Sequence, residues 1–363
     1  MTTHQEAASG VTKDVTNAPS TSNNAGILLD WTLFDGLNMF VSKKMFSTLE
    51  SLGENGTRIV MEQTVSDVMF AYFGIIQLKK MVLVLQDAVD LSMQRKRIAE
   101  AKLSLGAGSN LMLLQSTVDL NADSTALIQQ ITSLKNTKAD FNRILARDPA
   151  VSFDIMDSIR LIRILHYDSL LIRSLSQNTE IIAARLDQYL SSLCIRDAQS
   201  DRYPTLNLTG GYNYNEFRSQ TGYIAYNRSF GPSIGLTLSY NLFDGMNVNR
   251  TIRNARISLN SSDVALQDAE SSLRTSLLKR YNEYRLNLEI IRMQLSNVKI
   301  AKENVDVAFE KYKLGSLNDV ELREIQKKLI EAQYELILSR FEAKRAEIDL
   351  LRLSGSLLKT SFF

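Results

Sequence analysis

LFDGLN at 33–38 returns as LFDGMN at 242–247, a separation of 209 positions. The flanks repeat at the same offset without a gap. Gly26 meets Gly235, Asn38 meets Asn247, Tyr72 meets Tyr281, Ala99 meets Ala308, Leu105-Gly106 meets Leu314-Gly315 and Asp140 meets Asp349. An ungapped echo over roughly 120 residues is a structural duplication, and a period this long means two copies of one large unit rather than a solenoid. The fold must therefore be one that can be built twice from a single plan.

Each copy opens on a change of period. Residues 26–34 alternate, with Ile27, Leu29, Trp31 and Leu33 on one face and Leu28, Asp30, Thr32 and Phe34 on the other. The second copy alternates more cleanly: Ile234, Leu236, Leu238, Tyr240 and Leu242 against Ser233, Gly235, Thr237, Ser239 and Asn241. Period two marks a strand with one greasy and one wet face. The stretch at 205–217 also alternates, so 205–243 reads as a β-hairpin with a long polar loop.

After each LFDG the pattern turns helical. The chain holds only four Pro in 363 residues, and none falls in 37–104 or 246–313. A helix of that size extends roughly 100 Å, which implies a coiled-coil-like assembly. The spacing agrees: Val298, Ala301, Val305, Ala308 and Tyr312 are separated by 3, 4, 3 and 4 positions. On the return, Leu322, Ile325, Leu329, Ala332 and Leu336 continue the alternation, and the first copy keeps large members at Leu113, Leu120, Leu127, Leu134, Phe141 and Ile144. SLGAGSN (104–110) and KLGSLND (313–319) place Gly and then Ser, Asn or Asp between helices, as a C-cap followed by an N-cap.

Several function classes drop out. Net charge is +2, and QRKR at 94–97 lies inside a helical pattern, so it reads as a solvated face and no nucleic-acid partner is expected. A single cysteine, Cys194, allows no disulfide or Cys-based metal site within one chain. His4 and His166 have no partners at metal spacing, and no nucleophile elbow or phosphate loop occurs, so neither catalysis nor a cofactor is expected. GAGSNL lacks the third Gly and the preceding strand of a dinucleotide loop. No run of 18 apolar residues predicts a transmembrane helix, and MTTHQEAASG has no basic start with an apolar core. A membrane β-barrel would escape both tests.

Two copies of strand, LFDG, very long helix, LG turn and heptad return helix resemble the TolC family of outer-membrane efflux channels. The resemblance is carried by NLFDG at 241–245 with TLFDG at 32–36, and by KYKLGSLNDVELREIQKKLIEAQYEL at 311–336, and it covers residues 26–355. It implies a mainly α fold with a membrane β-barrel part: an α-barrel of long helical hairpins, few strands per protomer, and a homotrimer. The expected course is a polar loop or disordered segment at 1–25, a barrel strand at 26–36, a helical hairpin at 37–146, an irregular equatorial region at 147–167, a return helix at 168–202, a β-hairpin at 203–244, a second helical hairpin at 245–355 and a tail at 356–363.

The same resemblance implies the function: a passive exit duct of a tripartite efflux or type I secretion system, in the outer membrane of a Gram-negative bacterium with its helices in the periplasm. Its partners would be outer-membrane lipid, a periplasmic adaptor protein and an inner-membrane transporter of RND, ABC or MFS type. By position along LGSLNDVELRE, the acidic constriction falls on Glu321 and Glu324, with Met112 and Gln115 as first-copy equivalents. Leu317 stands where the family often has a basic residue. The adaptor would meet the tips at Gly106, Ala107, Gly108 and Ser109, and at Gly315, Ser316 and Leu317. The junctions from sheet to helix are structural: Phe34 and Phe243 turn inward, Asp35 and Asp244 cap the following helices, and Gly36 and Gly245 let the backbone turn. Trp31 and Tyr240 would sit at the membrane interface.

The second copy has a helix and a strand (about 166–216) before its junction, which the first copy has no room for. The chain is therefore expected to be N-terminally truncated or to begin at an internal Met, with three of four strands per protomer. The competing reading is a soluble coiled-coil structural or adaptor protein, which has no use for strands of lipid-facing alternation.

Overall fold

The computed structural model describes residues 2–6, 12–16, 19–155, 158–161, 165–220 and 224–359. In chain order the elements are β1 (Thr2–Glu6), β2 (Thr12–Thr16), β3 (Ser20–Asp35), α1 (Asn38–Ser104), α2 (Asn110–Ile144), α3 (Tyr167–Gln177), α4 (Thr179–Ser200), β4 (Thr205–Ser219), β5 (Tyr226–Ser239), α5 (Asn247–Lys313), α6 (Asp319–Leu353) and a 3-10 turn (Leu357–Lys359). The helix bounds repeat with the sequence. α1 and α5 are each 67 residues and α2 and α6 each 35, and the second pair of bounds is the first pair moved by the offset of the duplication. The chain divides into two compact units, Met1–Ser51 with Leu186–Val264, and Leu52–Arg185 with Ala265–Phe363.

The first unit carries a three-stranded antiparallel sheet in the order β3-β4-β5, beside a separate antiparallel pair β1-β2. Its register sorts the side chains by row. Ala25, Tyr214 and Phe230 lie opposite one another; so do Ile27, Tyr212 and Pro232; Leu29, Gly210 and Ile234; and Trp31, Leu208 and Leu236. The alternate rows are polar apart from Leu28, which lies opposite Gly211 and Ser233: Asn24, Asn215 and Ser229; Asp30, Thr209 and Gly235; Thr32, Asn207 and Thr237. Because facing residues in a sheet share a face, the apolar rows form one continuous greasy surface and the polar rows the other. The greasy surface is exposed: Ile27, Trp31, Ile234 and Leu236 stand well out of the chain's own packing.

A register shift between Thr32 and Phe34 changes one expectation. Leu33 is the extra residue, and Phe34 then faces Leu206, which faces Leu238. Phe34 therefore joins the greasy rows instead of turning to the wet face, since one extra residue on one strand reverses the sides after it. The second copy has no such continuation. β5 ends at Ser239, so Tyr240, Leu242 and Phe243 lie beyond the paired strand.

Other boundaries also move. The loop or disorder expected over 1–25 gives way to β1, β2 and a β3 that starts at Ser20; parts of 1–18 lie outside the described residues. Polar Ser20–Asn24 stay extended because β4 offers them a backbone edge from Asn215 to Ser219, and ladder hydrogen bonds need no apolar side chains. The single helix expected at 168–202 is broken at Asn178. Its Oδ1 accepts from the backbone N–H groups of Glu180 (3.0 Å) and Ile181 (3.1 Å), which caps α4, while its Nδ2 donates to the Leu353 carbonyl at 3.0 Å. Parts of the equatorial region (156–157 and 162–164), the β4–β5 loop (221–223) and the tail (360–363) lie outside the described residues.

The second unit holds the core. One cluster joins Met69, Phe73, Ile75 and Ile76 of α1 to Phe141 of α2 and Ile348 and Leu351 of α6. A second joins Leu170 of α3, Leu277 and Tyr284 of α5, and Ala346 and Leu350 of α6. A third, near the hairpin ends, joins Ala308, Phe309 and Tyr312 to Leu322. The heptad seam read from the sequence contributes to this buried surface: Val305, Ala308, Tyr312, Leu322 and Leu329 are buried, and Ala343, Ala346 and Leu350 carry it further along α6. One described helix, α1, is after all long and apolar enough by length and composition to cross a membrane. The expectation missed it because Lys79 and Lys80 break any unbroken apolar run; the α1 side chains of the first cluster all precede that pair.

Candidate functional site at the hairpin tips

Both hairpin tips close the same way. At the end of α1, the Ala107 N–H donates to the Lys102 carbonyl (2.9 Å) and the Gly106 N–H to Leu103 (3.0 Å). At the end of α5, Ser316 donates to Lys311 (3.0 Å) and Gly315 to Tyr312 (3.1 Å). These paired bonds define a Schellman turn, whose left-handed residue is Gly106 (φ 73°) or Gly315 (φ 77°). The next helix is then capped by a side chain. Ser109 Oγ accepts from Met112 N–H at 3.2 Å, and Asn318 Oδ1 accepts from Glu321 N–H at 2.8 Å.

Past the turn the two tips differ. Gly108 lies so close to the α1 backbone that a Cβ there would sit 2.8 Å from Leu103 N. Its counterpart Leu317 packs on the third core cluster, with Met112 and Ile325. Glu321 and Glu324 are both exposed on α6, and Glu324 Oε1 lies 3.3 Å from Lys327 Nζ. Ala107 and Ser316 are exposed at the turns, and Leu105, Leu111, Leu314 and Val320 leave large apolar side chains in the open around them.

A few turns back from the tips, a buried charge network ties the first hairpin to the second. Arg95 of α1 is fully buried, which corrects the reading of QRKR as a solvated face at that one position, while Gln94 and Arg97 are exposed. Its guanidinium pairs with Asp119 of α2, its Nε lies 3.2 Å from Asp319 Oδ1 of α6, and its Nη1 donates to Gln326 Oε1 at 3.4 Å. Arg323 of α6 grips Asp123 of α2 with both terminal nitrogens, each at 2.7 Å, and Ser92 of α1 donates to the same carboxylate. The Tyr312 hydroxyl donates to Asp319 Oδ1 at 3.2 Å. Burial, then the Asp319 charge, pushes the Tyr312 phenol well up, so it keeps its proton and remains a donor. The Asp123 hydrogen bond raises the Arg323 guanidinium further, against the opposing effect of burial.

Sequence reasoning missed this network, yet a signal for it was present. Every charged member sits where the two copies disagree: Arg95 against Asn304, Asp119 against Lys328, Asp123 against Ala332, Asp319 against Asn110, and Arg323 against Leu114. A duplicated unit that must pack against its own copy needs asymmetric partners, and those appear as breaks in the repeat.

The sheet-to-helix junctions lie in the first unit. Asp35 Oδ2 accepts from Met39 N–H at 2.8 Å, and Asp244 Oδ2 from Val248 N–H at 2.7 Å. Two consecutive residues take the left-handed conformation at each junction, Gly36 (φ 69°) with Leu37 (φ 70°) and Gly245 (φ 65°) with Met246 (φ 65°). Trp31 and Tyr240 are both exposed, Trp31 within the greasy rows and Tyr240 just past β5. Among the described residues, no group of three or more His, Cys, Asp or Glu side chains is placed to hold a metal ion.

The outer membrane efflux protein family matches residues 170–356, about half of the chain. Outer membrane protein TolC of Salmonella enteritidis is 24% identical over 268 residues, which cover 63% of this chain and 55% of TolC. The chain thus spans about half the length of that relative. Outer membrane efflux protein BepC of Brucella suis is 18% identical over 337 residues, 92% of this chain and 72% of BepC. The fold is shared with the outer membrane protein VceC of Vibrio cholerae, at a TM-score of 0.76 and 13% identity over 98% of this chain and 85% of VceC. With strands, junctions, hairpins and tips all in that order, the chain belongs to the outer membrane efflux protein family.

Proposed function

We propose that this chain is a subunit of a passive exit duct in the outer membrane, assembled as a homotrimer and energised through other proteins. The observation that carries the reading is the sheet β3-β4-β5. One of its faces is apolar through successive rows, from Ala25, Tyr214 and Phe230 to Phe34, Leu206 and Leu238. The other face is polar but for Leu28. Such alternation belongs to a wall between lipid and water, and the length of the apolar band, about nine residues of a tilted strand, fits a bilayer's hydrocarbon. Past the band the same face turns charged, with Glu216 opposite Arg228 and Arg218 opposite Tyr226. Arg228 lies over the Tyr214 ring at 5.2 Å, an aromatic and basic rim of the kind found at a headgroup boundary.

Closure requires more copies. The outer edges of β3 and β5 have no ladder partner in the three-stranded sheet, and an open edge in lipid is too costly to persist. TolC and BepC are outer membrane proteins by name, which supports the same location for this chain. The turns at the two tips, Gly106 to Ser109 and Gly315 to Leu317, are where a periplasmic adaptor would dock, linking the duct to an inner-membrane transporter. Glu321 and Glu324 are three residues apart on one exposed helix face; repeated in each copy they would ring the mouth with negative charge and favour cations.

Two measurements test this reading. Membranes from cells that express the chain are extracted with detergent and the particle is sized: the duct predicts an outer-membrane, detergent-dependent trimer, and a detergent-free soluble monomer or dimer returns the chain to the coiled-coil scaffold reading. In planar bilayers, Glu321→Gln combined with Glu324→Gln should reduce cation preference. Unchanged selectivity removes both residues from the pore lining.

A further inference from the structure

At the first sheet-to-helix junction, the start of α1 and the end of α4 enclose a cleft of about 590 Å³, all of it within the first unit. Leu37, Phe40 and Lys44 lie three and four residues apart, on one face at the start of α1; Arg196, Ser200 and Tyr203 do the same at the end of α4. The two segments come close because residue 36 is glycine. A Cβ there would sit 2.5 Å from the Ser200 carbonyl oxygen and 3.0 Å from Tyr203 Cβ. Three cations line the cleft, Lys44, Arg196 and Arg202, and no carboxylate does. Among the described residues, Lys44 and Arg196 have no ion pair, and Arg202 donates to the neutral Asn249 Oδ1 at 2.7 Å. The apolar wall is open: Leu37, Phe40 and Tyr203 are all exposed. A cleft of this size, with apolar walls and a few convergent charges of one sign, has the makings of an anion site.

We infer that this cleft binds an anionic phospholipid of the periplasmic leaflet, by its phosphate. The inference rests on the outer-membrane duct reading and adds a ligand to it. The level is right. The greasy rows end at Phe34, Leu206 and Leu238, and Gly36 follows Phe34 by two residues. Two residues of strand advance roughly 6–7 Å, which from the edge of the hydrocarbon reaches the headgroup layer. The side is right too, because this end of the sheet runs into α1 and so faces the helices. The chemistry then selects the lipid. Guanidinium forks and an ammonium match phosphate oxygens, and a Tyr ring suits the boundary between headgroup and acyl chain. A soluble phosphate would use the cations but leave Leu37, Phe40 and Tyr203 without a partner. A zwitterionic lipid would bring its own ammonium up against three cations. An anionic phospholipid satisfies both halves of the cleft. The site occurs once per chain, since a Cβ on Gly245 at the second junction meets nothing within 4 Å and no helix end closes over it.

Native mass spectrometry of the detergent-solubilised full chain tests the inference. The particle is titrated with phosphatidylglycerol and, separately, with phosphatidylcholine, and the bound phosphatidylglycerol is challenged with an excess of glycerol phosphate. Phosphatidylglycerol should be retained in preference to phosphatidylcholine, and glycerol phosphate should fail to displace it. Lys44→Gln with Arg196→Gln should weaken retention by about tenfold or more. Both side chains are exposed, so the fold should survive, with helical circular dichroism as the check. Arg253→Gln, at the second-copy counterpart of Lys44, should leave retention unchanged. Equal retention of the two lipids overturns the site, and so does a double variant that binds like the parent or an Arg253→Gln variant that loses as much. Displacement by glycerol phosphate also overturns it, by giving the cleft to a soluble anion. Each of these results in a particle that still sizes as an outer-membrane trimer leaves the duct reading intact. A particle that is soluble without detergent overturns the duct reading and the lipid site together.

Discussion

Arg323 and Asp123 form a two-pronged ion pair across the hairpins, Nη1 to Oδ2 and Nη2 to Oδ1, each at 2.7 Å, with both side chains nearly buried. Charge-assisted bonds of this geometry are strong, but both groups were taken from water to make them. Removing one partner leaves the other buried and unpaired, at a cost of about 3–5 kcal/mol, whereas replacing both by apolar groups is close to neutral. Asp123→Ala and Arg323→Ala should each lower thermal stability sharply in the solubilised protein. Asp123→Leu with Arg323→Met should recover most of the loss. A double variant as unstable as the sum of the singles would show that the pair is not coupled.

The pH dependence of stability has one identifiable contributor in the core. Asp349 is buried, and its Oδ2 lies 3.2 Å from Arg280 Nε. Burial pushes the carboxyl above its ordinary 3.8, and Arg280 offsets that only in part. The folded state therefore holds this proton more tightly than the unfolded chain. The stability it confers is complete below the unfolded value and is lost as pH rises through the raised folded value. Asp349→Asn removes the loss, so its melting temperature relative to the parent should climb as pH goes from about 4 to about 7. Parallel curves for the two proteins would rule Asp349 out as the source.

Much of this architecture was legible because it is periodic. The alternation of Leu236, Leu238 and their neighbours marks the strand, the 3–4 spacing from Val298 to Tyr312 marks the seam, and the offset of the duplication aligns α1 with α5 and α2 with α6 residue for residue. What stayed hidden depends on contacts between distant segments. The strand character of Ser20–Asn24 comes from the β4 edge they pair with, not from their own side chains. The break at Asn178 rests on a side chain that caps α4 and also reaches the Leu353 carbonyl. The burial of Arg95 depends on Asp119, Asp319 and Gln326 arriving from two other helices, so a window along α1 alone shows only a basic run.

The two junction glycines, equivalent in sequence, are not equivalent in space. A Cβ on Gly36 would sit 2.5 Å from the Ser200 carbonyl oxygen, while one on Gly245 would meet nothing within 4 Å. Both residues have positive φ, so either alanine carries the backbone penalty of about 1–2 kcal/mol. Only at Gly36 does a steric clash with fixed backbone add to it. Gly36→Ala should therefore destabilise clearly more than Gly245→Ala in thermal unfolding, and equal losses would mean that the end of α4 yields freely.

The duplication also points to a site where the chain can be stabilised. α6 ends in a Schellman turn, with Gly355 donating to the Arg352 carbonyl at 2.9 Å and Ser356 to Leu351 at 3.0 Å. α2 ends in the same turn, with Ala146 donating to Arg143 at 3.0 Å and Arg147 to Asn142 at 2.8 Å. The residue that must go left-handed is glycine in the second copy (φ 63°) and alanine in the first (φ 54°). A Cβ in that conformation costs roughly 1–2 kcal/mol, and a glycine's extra freedom in the unfolded chain gives back about 0.4–1 kcal/mol of the gain. Ala146→Gly should then stabilise the protein by about 0.5–1 kcal/mol, read as a small rise in melting temperature without change in oligomeric state. The reverse change, Gly355→Ala, should cost more than that gain. A Cβ there would meet the Gln177 carbonyl oxygen at 2.4 Å, at the point where α3 gives way to α4. If Ala146→Gly leaves the melting temperature unchanged or lowers it, the strain assigned to the α2 end is absent.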